Sequence, residues 1–368
     1  MEQDLIQRFS MNPILKYLQH FFASKRVIGG DVELSGMVRA DTLLKKLIDE
    51  KRVPGLAISV RKHNKIYFQK GYGFADLEQK LPIDPQRSIF RVASVSKPIA
   101  ATALAAMVAD GQIDLDASFY DYVPYFPRKK HDFTIRQLAG HTAGIRGYRG
   151  AEYGLNQPLG IRGSLVLFQE DELLFVPGTQ YLYTSYDWVL ISLAIEEVSG
   201  IPFANYVRDK VLKPYGLKNT YAEVPGETVP NKVAFYSKDK CGFRKAITVD
   251  NRYKLAGGGY LSTAVDIARF GQVFLDATLW EDPVQAQFLT AAIIGDNSTY
   301  YGLGWQVSKD KLGRSYFGHV GNGVGGYAVF YVYPETDMVF AILINCTNPG
   351  VQDVLEEVIS LLIGEDVG

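Results

Sequence analysis

The sequence predicts an α/β (α+β) protein: an antiparallel sheet flanked by helices, built from both ends of the chain, with a mainly helical domain inserted between them. Short runs of β-branched and aromatic residues cluster near residue 60 and again over 327–344. The stretch between them has helical periodicity, as in Trp188 to Val198 and Phe203 to Leu212. The chain of 368 residues also exceeds one ordinary compact domain, for which about 150 residues is the usual scale.

Residues 1–36 read as an N-terminal helical extension. Ile14, Leu15, Leu18, Phe21 and Phe22 recur at helical spacing and form one apolar stripe, which Gly29, Gly30 and Asp31 interrupt. Packing of that stripe on its own domain is favoured over docking on a membrane or partner. The sheet domain is assigned to 37–93 and 254–368, and the helical domain to 94–253, with a site at their interface. A helix covers Asp41 to Asp49, and strands Leu56–Val60 and Lys65–Phe68 flank a turn at His63 and Asn64. Strands Tyr327–Tyr333 and Met338–Ile344 are joined by Pro334 to Asp337, and a helix from Val351 to Ile363 closes the chain.

Composition removes several function classes. Lys+Arg 39 against Asp+Glu 40 leaves a formal charge of -1, with no basic surplus for a phosphate backbone, so nucleic acid is not an expected partner. Two cysteines, Cys241 and Cys346, make no disulfide framework, and five scattered histidines make no metal motif; neither metal nor cofactor is expected. Glu2 and Asp4 stand where a secretory signal carries positive charge, and no run of 18 apolar residues occurs. The expectation is therefore a cytoplasmic protein without a membrane-spanning segment.

The segment from Ser94 to Asp110 is the most informative. After Lys97 it is apolar all round until Asp110, with Gly111 as the stop, so the helix belongs in the protein interior. A lone lysine there is costly unless it gains partners or loses its proton. Ser94 and Lys97 lie three apart on one helix face, which brings hydroxyl, amine and helix N-terminus together as an activated nucleophile requires. The spacing recurs at Ser59/Lys62, Ser237/Lys240 and Ser308/Lys311, none of which opens a buried helix. Two readings stay open for the pair alone: a catalytic couple, or a helix cap beside a snorkelling lysine.

Two further segments follow in order, Pro177-Gly-Thr-Gln-Tyr-Leu-Tyr-Thr-Ser185 and His319-Val-Gly-Asn-Gly-Val-Gly-Gly326. With Ser94-x-x-Lys97 they resemble the serine β-lactamase and penicillin-binding-protein superfamily, closest to its class C-like branch of esterases and D-amino-acid peptidases. Lesser signatures agree: Val53 to Leu56, Asp110 to Asp116, His141 to Gly144 and Ala256 to Thr263. Leu182 to Ser185, Thr142 to Arg146 and Asp250 to Gly259 look most like the branch's mitochondrial β-lactamase-like subfamily. The likeness spans about residues 38 to 365 and implies the β-lactamase/transpeptidase fold.

By that resemblance Ser94 is the nucleophile of an acyl-enzyme, and Lys97 and Tyr183 share the proton work. A free tyrosine has a pKa near 10, so Tyr183 needs a neighbouring cation to act as base near neutral pH. The backbone N–H groups of Ser94 and Asn322 form the oxyanion hole, with Gly321 and Gly323 allowing close approach. His141 reads as a loop histidine with a structural role. The stretch Gly321 to Gly326 also matches G-x-G-x-x-G, but a strand follows it rather than a helix, and no G-x-S-x-G elbow occurs.

The chain departs from the β-lactamase pattern at two substrate-binding positions. Ser185 replaces an asparagine and His319 a lysine. A serine hydroxyl offers fewer donors than an amide, and a histidine is largely uncharged at pH 7. Both changes count against efficient β-lactam hydrolysis. The leading expectation is a serine acyl hydrolase of small esters or peptides. The alternatives are a β-lactamase or D-Ala carboxypeptidase, and a non-catalytic binding or assembly protein whose 23 tyrosines could build an interface, a homo-oligomeric one included.

Overall fold

In the computed structural model, which describes residues 35–276, 279 and 282–364, the two apolar ends of the chain meet in one sheet. Its strands are β1 (Gly55–Lys62), β2 (Lys65–Asp76), β3 (Leu81–Pro82), β4 (Gln306–Lys309), β5 (Ser315–Gly323), β6 (Gly326–Tyr333) and β7 (Met338–Ile344). They lie in the order β4-β5-β6-β7-β1-β2-β3, every neighbouring pair antiparallel. The central pairing runs from Leu56 opposite Ile344 to Lys62 opposite Met338. His63 and Asn64 turn β1 into β2 with φ of +47° and +57°, the left-handed pair that a two-residue hairpin of matching twist requires. The apolar stripe at residues 14–22 lies outside the described residues.

The side-chain alternation of the strands separates two cores. Leu56, Ile58, Val60, Val329, Phe340 and Ile342 face helices α1 (Gly36–Asp49) and α5 (Gln352–Gly364), which cover one side of the sheet. Ala57, Ala328, Phe330, Val339, Ala341 and Leu343 face the larger core on the other side. Both faces are therefore covered, and β6 and β7 are buried along their whole length. Such strands read as continuous apolar runs instead of alternating ones.

The larger core holds helices α2 (Ser96–Ala109), α3 (Ser185–Ser199) and α4 (Ala264–Asp276). Residues Ser96 to Ala105 of α2 are all buried, as are Tyr186 to Ile195 of α3, so neither helix needs a polar face. The helix expected over 203–212 is α-helical only at Phe203–Val207 and widens to a π turn at Arg208–Leu212. That wider turn keeps both Val211 and Leu212 buried while Arg208 to Lys210 stay in solvent. A small sheet of Phe90–Arg91, Tyr260–Ser262 and Tyr221–Ala222, not expected from the sequence, ties the entry to α2 to the segment preceding α4.

Helix α4 packs on the sheet through Gly271. A Cβ at this position would lie 2.6 Å from Val339 Cγ1, 2.8 Å from Phe330 Cε2 and 2.9 Å from Val332 Cγ2. Gly→Ala inside a helix ordinarily gains about 1 kcal/mol. Here Gly271→Ala should instead cost roughly 1–3 kcal/mol through overpacking, read as a lower urea midpoint at unchanged slope. A higher midpoint would refute this packing.

Candidate active site

The strand Phe90–Arg91 leads into a bend at Ala93, whose φ of +46° is left-handed for a residue with a side chain. A 3₁₀ turn, Ala93–Val95, follows, and α2 begins only at Ser96. The N-cap position of α2 is Val95, without any side-chain cap bond. Ser94 therefore caps nothing, which removes the cap reading of its hydroxyl. That oxygen instead accepts hydrogen bonds from Tyr183 Oη at 2.8 Å and Lys97 Nζ at 3.2 Å.

Lys97 does not snorkel; it is 0 % exposed. Its amine donates to the Gly257 carbonyl at 2.7 Å, to Ser94 Oγ and to Ser185 Oγ at 3.3 Å, and lies 4.6 Å from the centre of the Tyr183 ring. Burial pushes its pKa down to about 7, against the pull of the Asp187 charge in the other direction. Tyr183 moves the other way. Burial raises its pKa above the ordinary phenol value, and the bond to Ser94 only partly offsets this. The residue is partly exposed while its hydroxyl is held on Ser94. Of the two groups, the amine is the one whose proton is loosened.

Local bonds fix Tyr183 and Ser185. Thr184 between them accepts from Tyr186 N at the start of α3 and donates from Oγ1 to the Arg146 carbonyl at 2.8 Å. Gly257 allows the approach of Ser185, because a Cβ there would lie 3.0 Å from Ser185 Cβ. Strand β5 crosses in front of the bend: a Cβ on Gly321 would fall 2.2 Å from the Val92 carbonyl oxygen and 3.1 Å from Ser94 N. Asn322 stands opposite Tyr327, one step from the closing Gly323–Gly326 pair. The alternation of an antiparallel ladder turns its backbone groups away from β6, and Tyr153 Oη reaches its carbonyl at 3.5 Å.

His319 is not brought to the same surface. It is 1 % exposed, with Nε2 3.0 Å from Tyr301 Oη and Nδ1 2.6 Å from the Val320 carbonyl oxygen. The carbonyl requires a proton on Nδ1, so Nε2 accepts from Tyr301. Burial, aided by the Lys97 charge, pushes its pKa down to about 3. His319, expected at the substrate, thus has its ring against Tyr301, uncharged and hydrogen-bonded through both nitrogens.

Several further residues, none of them expected to act in catalysis, complete the site. His141, taken as a loop histidine, is buried with φ +60°, and its Nδ1 lies 2.7 Å from Asp187 Oδ2. Burial disfavours the charged form of each, lowering the histidine pKa and raising that of the carboxyl. The His141 ring packs 4.5 Å from Tyr183 and 4.8 Å from Tyr301, centre to centre. A carboxylate followed by the apolar run Trp188 to Ile191 is the same signal that exposed Lys97, and it pointed to Asp187 equally well. The cleft beside Ser94, about 50 Å³, is further lined by Arg91, Tyr148, Tyr153, Asn251 and Lys254. Among the described residues no group of three or more His, Cys, Asp or Glu side chains could hold a metal ion, and no helix is long and apolar enough to cross a membrane.

A central antiparallel sheet, a helical insertion and a Ser–Lys–Tyr cluster between them define a protein of the β-lactamase/transpeptidase fold. The chain belongs to the Beta-lactamase family, whose model matches residues 40–363. It is 26% identical over 393 aligned residues to the human serine beta-lactamase-like protein LACTB, mitochondrial, covering 80% of this chain and 71% of that protein. A D-stereospecific amidohydrolase from Streptomyces sp. shares the fold with a TM-score of 0.76 and 22% identity, over 88% of this chain and 97% of the other. So does EstCE1, described as a hydrolase with promiscuous acyltransferase activity, at 0.75 and 19%, over 89% and 99%.

The depressed lysine gives a stability test. The folded-state pKa of Lys97 lies near 7 against 10.5 for the free side chain, so between these values the unfolded chain binds the extra proton. The burial penalty is complete below pH 7 and fades as pH rises towards 10. Wild type should thus gain about 2–3 kcal/mol relative to Lys97→Met between pH 7 and pH 9. Paired melting curves would show the gap between the two proteins moving in that direction; a gap independent of pH would mean the amine is not desolvated.

Proposed function

We propose that this protein is a serine acyl hydrolase that cleaves small ester or amide substrates through an acyl-enzyme on Ser94. The observation that carries this reading is the pairing of the Ser94 hydroxyl with an amine of loosened proton and a phenol that keeps its own. Neutral Lys97 takes the proton of Ser94 as Oγ bonds to the substrate carbonyl carbon. Charge developing on the carbonyl oxygen falls between the backbone N–H groups of Ser94 and Asn322, the latter delivered by the close approach at Gly321. When the tetrahedral species collapses, the bond to the alcohol or amine breaks. The leaving atom receives a proton through Tyr183, and the proton taken by Lys97 restores the balance. A water then attacks the acyl ester and loses one proton to the same amine, which passes it to Ser94 Oγ as the acyl bond breaks, releasing the acid and free Ser94.

The uncharged, enclosed His319 and the short hydroxyl of Ser185 support esters and amides over substrates that need a fixed positive charge at that point. The family and the fold neighbours, with hydrolases among them, are in keeping with this chemistry.

Incubation with a fluorophosphonate should give one adduct per chain by intact-mass spectrometry, absent from Ser94→Ala. Folded wild-type protein that takes no label would rule out an activated Ser94. The kcat/KM for a neutral ester such as ethyl butyrate should rise with pH through a midpoint near 7, because the deprotonated amine is the base. A flat profile between pH 6 and 9 would remove Lys97 from that role.

A further inference from the structure

We infer that the cleft beside Ser94 contains an anion subsite built on Lys254, which selects acyl donors bearing a carboxylate a few atoms from the scissile carbonyl: monoesters or monoamides of short dicarboxylic acids. This rests on the acyl-hydrolase reading and specifies its substrate class.

The charges in the cleft wall cancel except at this lysine. Arg91 forms a double bond-pair with Glu223, Nε to Oε2 at 2.8 Å and Nη2 to Oε1 at 2.7 Å, and Asn251 Nδ2 adds a third donor to Oε2 at 2.6 Å. Arg252 is held by Asp250 at 2.9 Å. Lys254 is 7 % exposed, and its ammonium donates to the Tyr153 carbonyl at 3.0 Å. Among the described residues it forms no ion pair, while the Tyr148 and Tyr253 rings flank it at 5.6 and 5.5 Å. An ammonium has three donors, so two remain for a ligand. Burial and the Arg91 charge lower its pKa to about 8, with Glu223 and Asp250 acting in the opposite sense. It is still mainly protonated at neutral pH. A cation so desolvated gains most from an anion that completes its hydrogen bonds.

Geometry decides which end of a substrate meets it. The leaving group needs the proton of Tyr183, which packs with His141, Tyr301 and His319. The cleft holding Lys254 includes Ser94, Ser185 and Asn322 but not Tyr183. We assign the acyl part to it. Its volume of about 50 Å³, room for a few water-sized groups, makes a short acyl chain such as glutaryl the expected occupant.

The test compares monoethyl glutarate with its neutral isostere ethyl glutaramate and with monoethyl suberate. Wild type should prefer the glutarate over the glutaramate in kcat/KM by roughly 10- to 100-fold, the scale of a hydrogen-bonded charge, and should discriminate against the suberate. Lys254→Met should bring the glutarate-to-glutaramate ratio close to one, and Lys254→Arg should keep a clear preference. Turnover of the neutral ester with no preference for the acid overturns the subsite and leaves the acyl-hydrolase reading standing. If neither ester is turned over, that reading fails, and calorimetric binding to Ser94→Ala decides the subsite. Tighter binding of monoethyl glutarate than of ethyl glutaramate, lost on adding Lys254→Met, supports it; equal binding overturns it.

Discussion

The desolvation of one amine is the constraint on which the site depends. Lys97 is placed on a helix buried all round from Ser96 to Ala105, so its ammonium cannot reach water by rotating a side chain. The surrounding groups are matched to that fact. Three acceptors surround Nζ, and none is a carboxylate in contact. A carboxylate at hydrogen-bond distance would restore the charged amine and remove it as a base. Asp187 lies further off and is occupied by His141. The amine is thus left where its proton is exchangeable near neutral pH, next to the only hydroxyl that the bend at Ala93 frees from helix capping.

The rest of the fold supplies rigidity at the places where that arrangement would otherwise relax. The left-handed bend at Ala93 costs free energy locally, and it is held from two sides. The strand Phe90–Arg91 pairs with Tyr260–Ser262, and β5 leans on Val92 and Ala93 through Gly321 and Gly323. Strand β5 is in turn fixed by β6 and β7, which are buried on both faces by the terminal helices and α4. The hydrophobic burial of the sheet and the position of the serine are for this reason one structural problem. A side chain at Gly321 would separate strand from bend by more than an ångström, and one at Gly323 would press on Ala93 Cβ at 3.0 Å.

Much of this was legible in the chain. Continuous apolar runs marked the doubly covered strands, and one lysine in an otherwise apolar helix marked the site. Tyr183, Ser185, Gly321 and Asn322 entered through ordered motifs and lie around Ser94. What escaped was set by contacts distant in sequence. The burial of His319 depends on Tyr301, 18 residues away, and the cap reading of Ser94 failed because a 3₁₀ turn displaces the α-helix by two residues. Lys254 sits in a polar stretch beside Asn251 and Arg252, where a lysine reads as solvated. Only the packing of Tyr148, Tyr153 and Tyr253 around it makes it a buried cation.

The electrostatic asymmetry of the site follows from these placements. On the side of Tyr183, every titratable partner is driven towards its neutral form: His141 and His319 lose protons, and Tyr181, Tyr183 and Tyr301 keep theirs. Such an environment favours departure of an uncharged alcohol or amine and offers no counter-ion to a carboxylate. On the side of Asn251 and Glu223, formal charges persist in the interior because arginine and carboxylate satisfy each other in a bidentate geometry that burial alone does not break. A single hydroxyl at the boundary between a neutral and an ionic compartment has a built-in direction. For the proposed acyl-enzyme reaction the scissile bond would lie across that boundary, with the neutral product leaving one way and the acid held the other. In the proposed reaction, charge distribution, and not the size of the cleft alone, would then decide which acyl donors meet the serine.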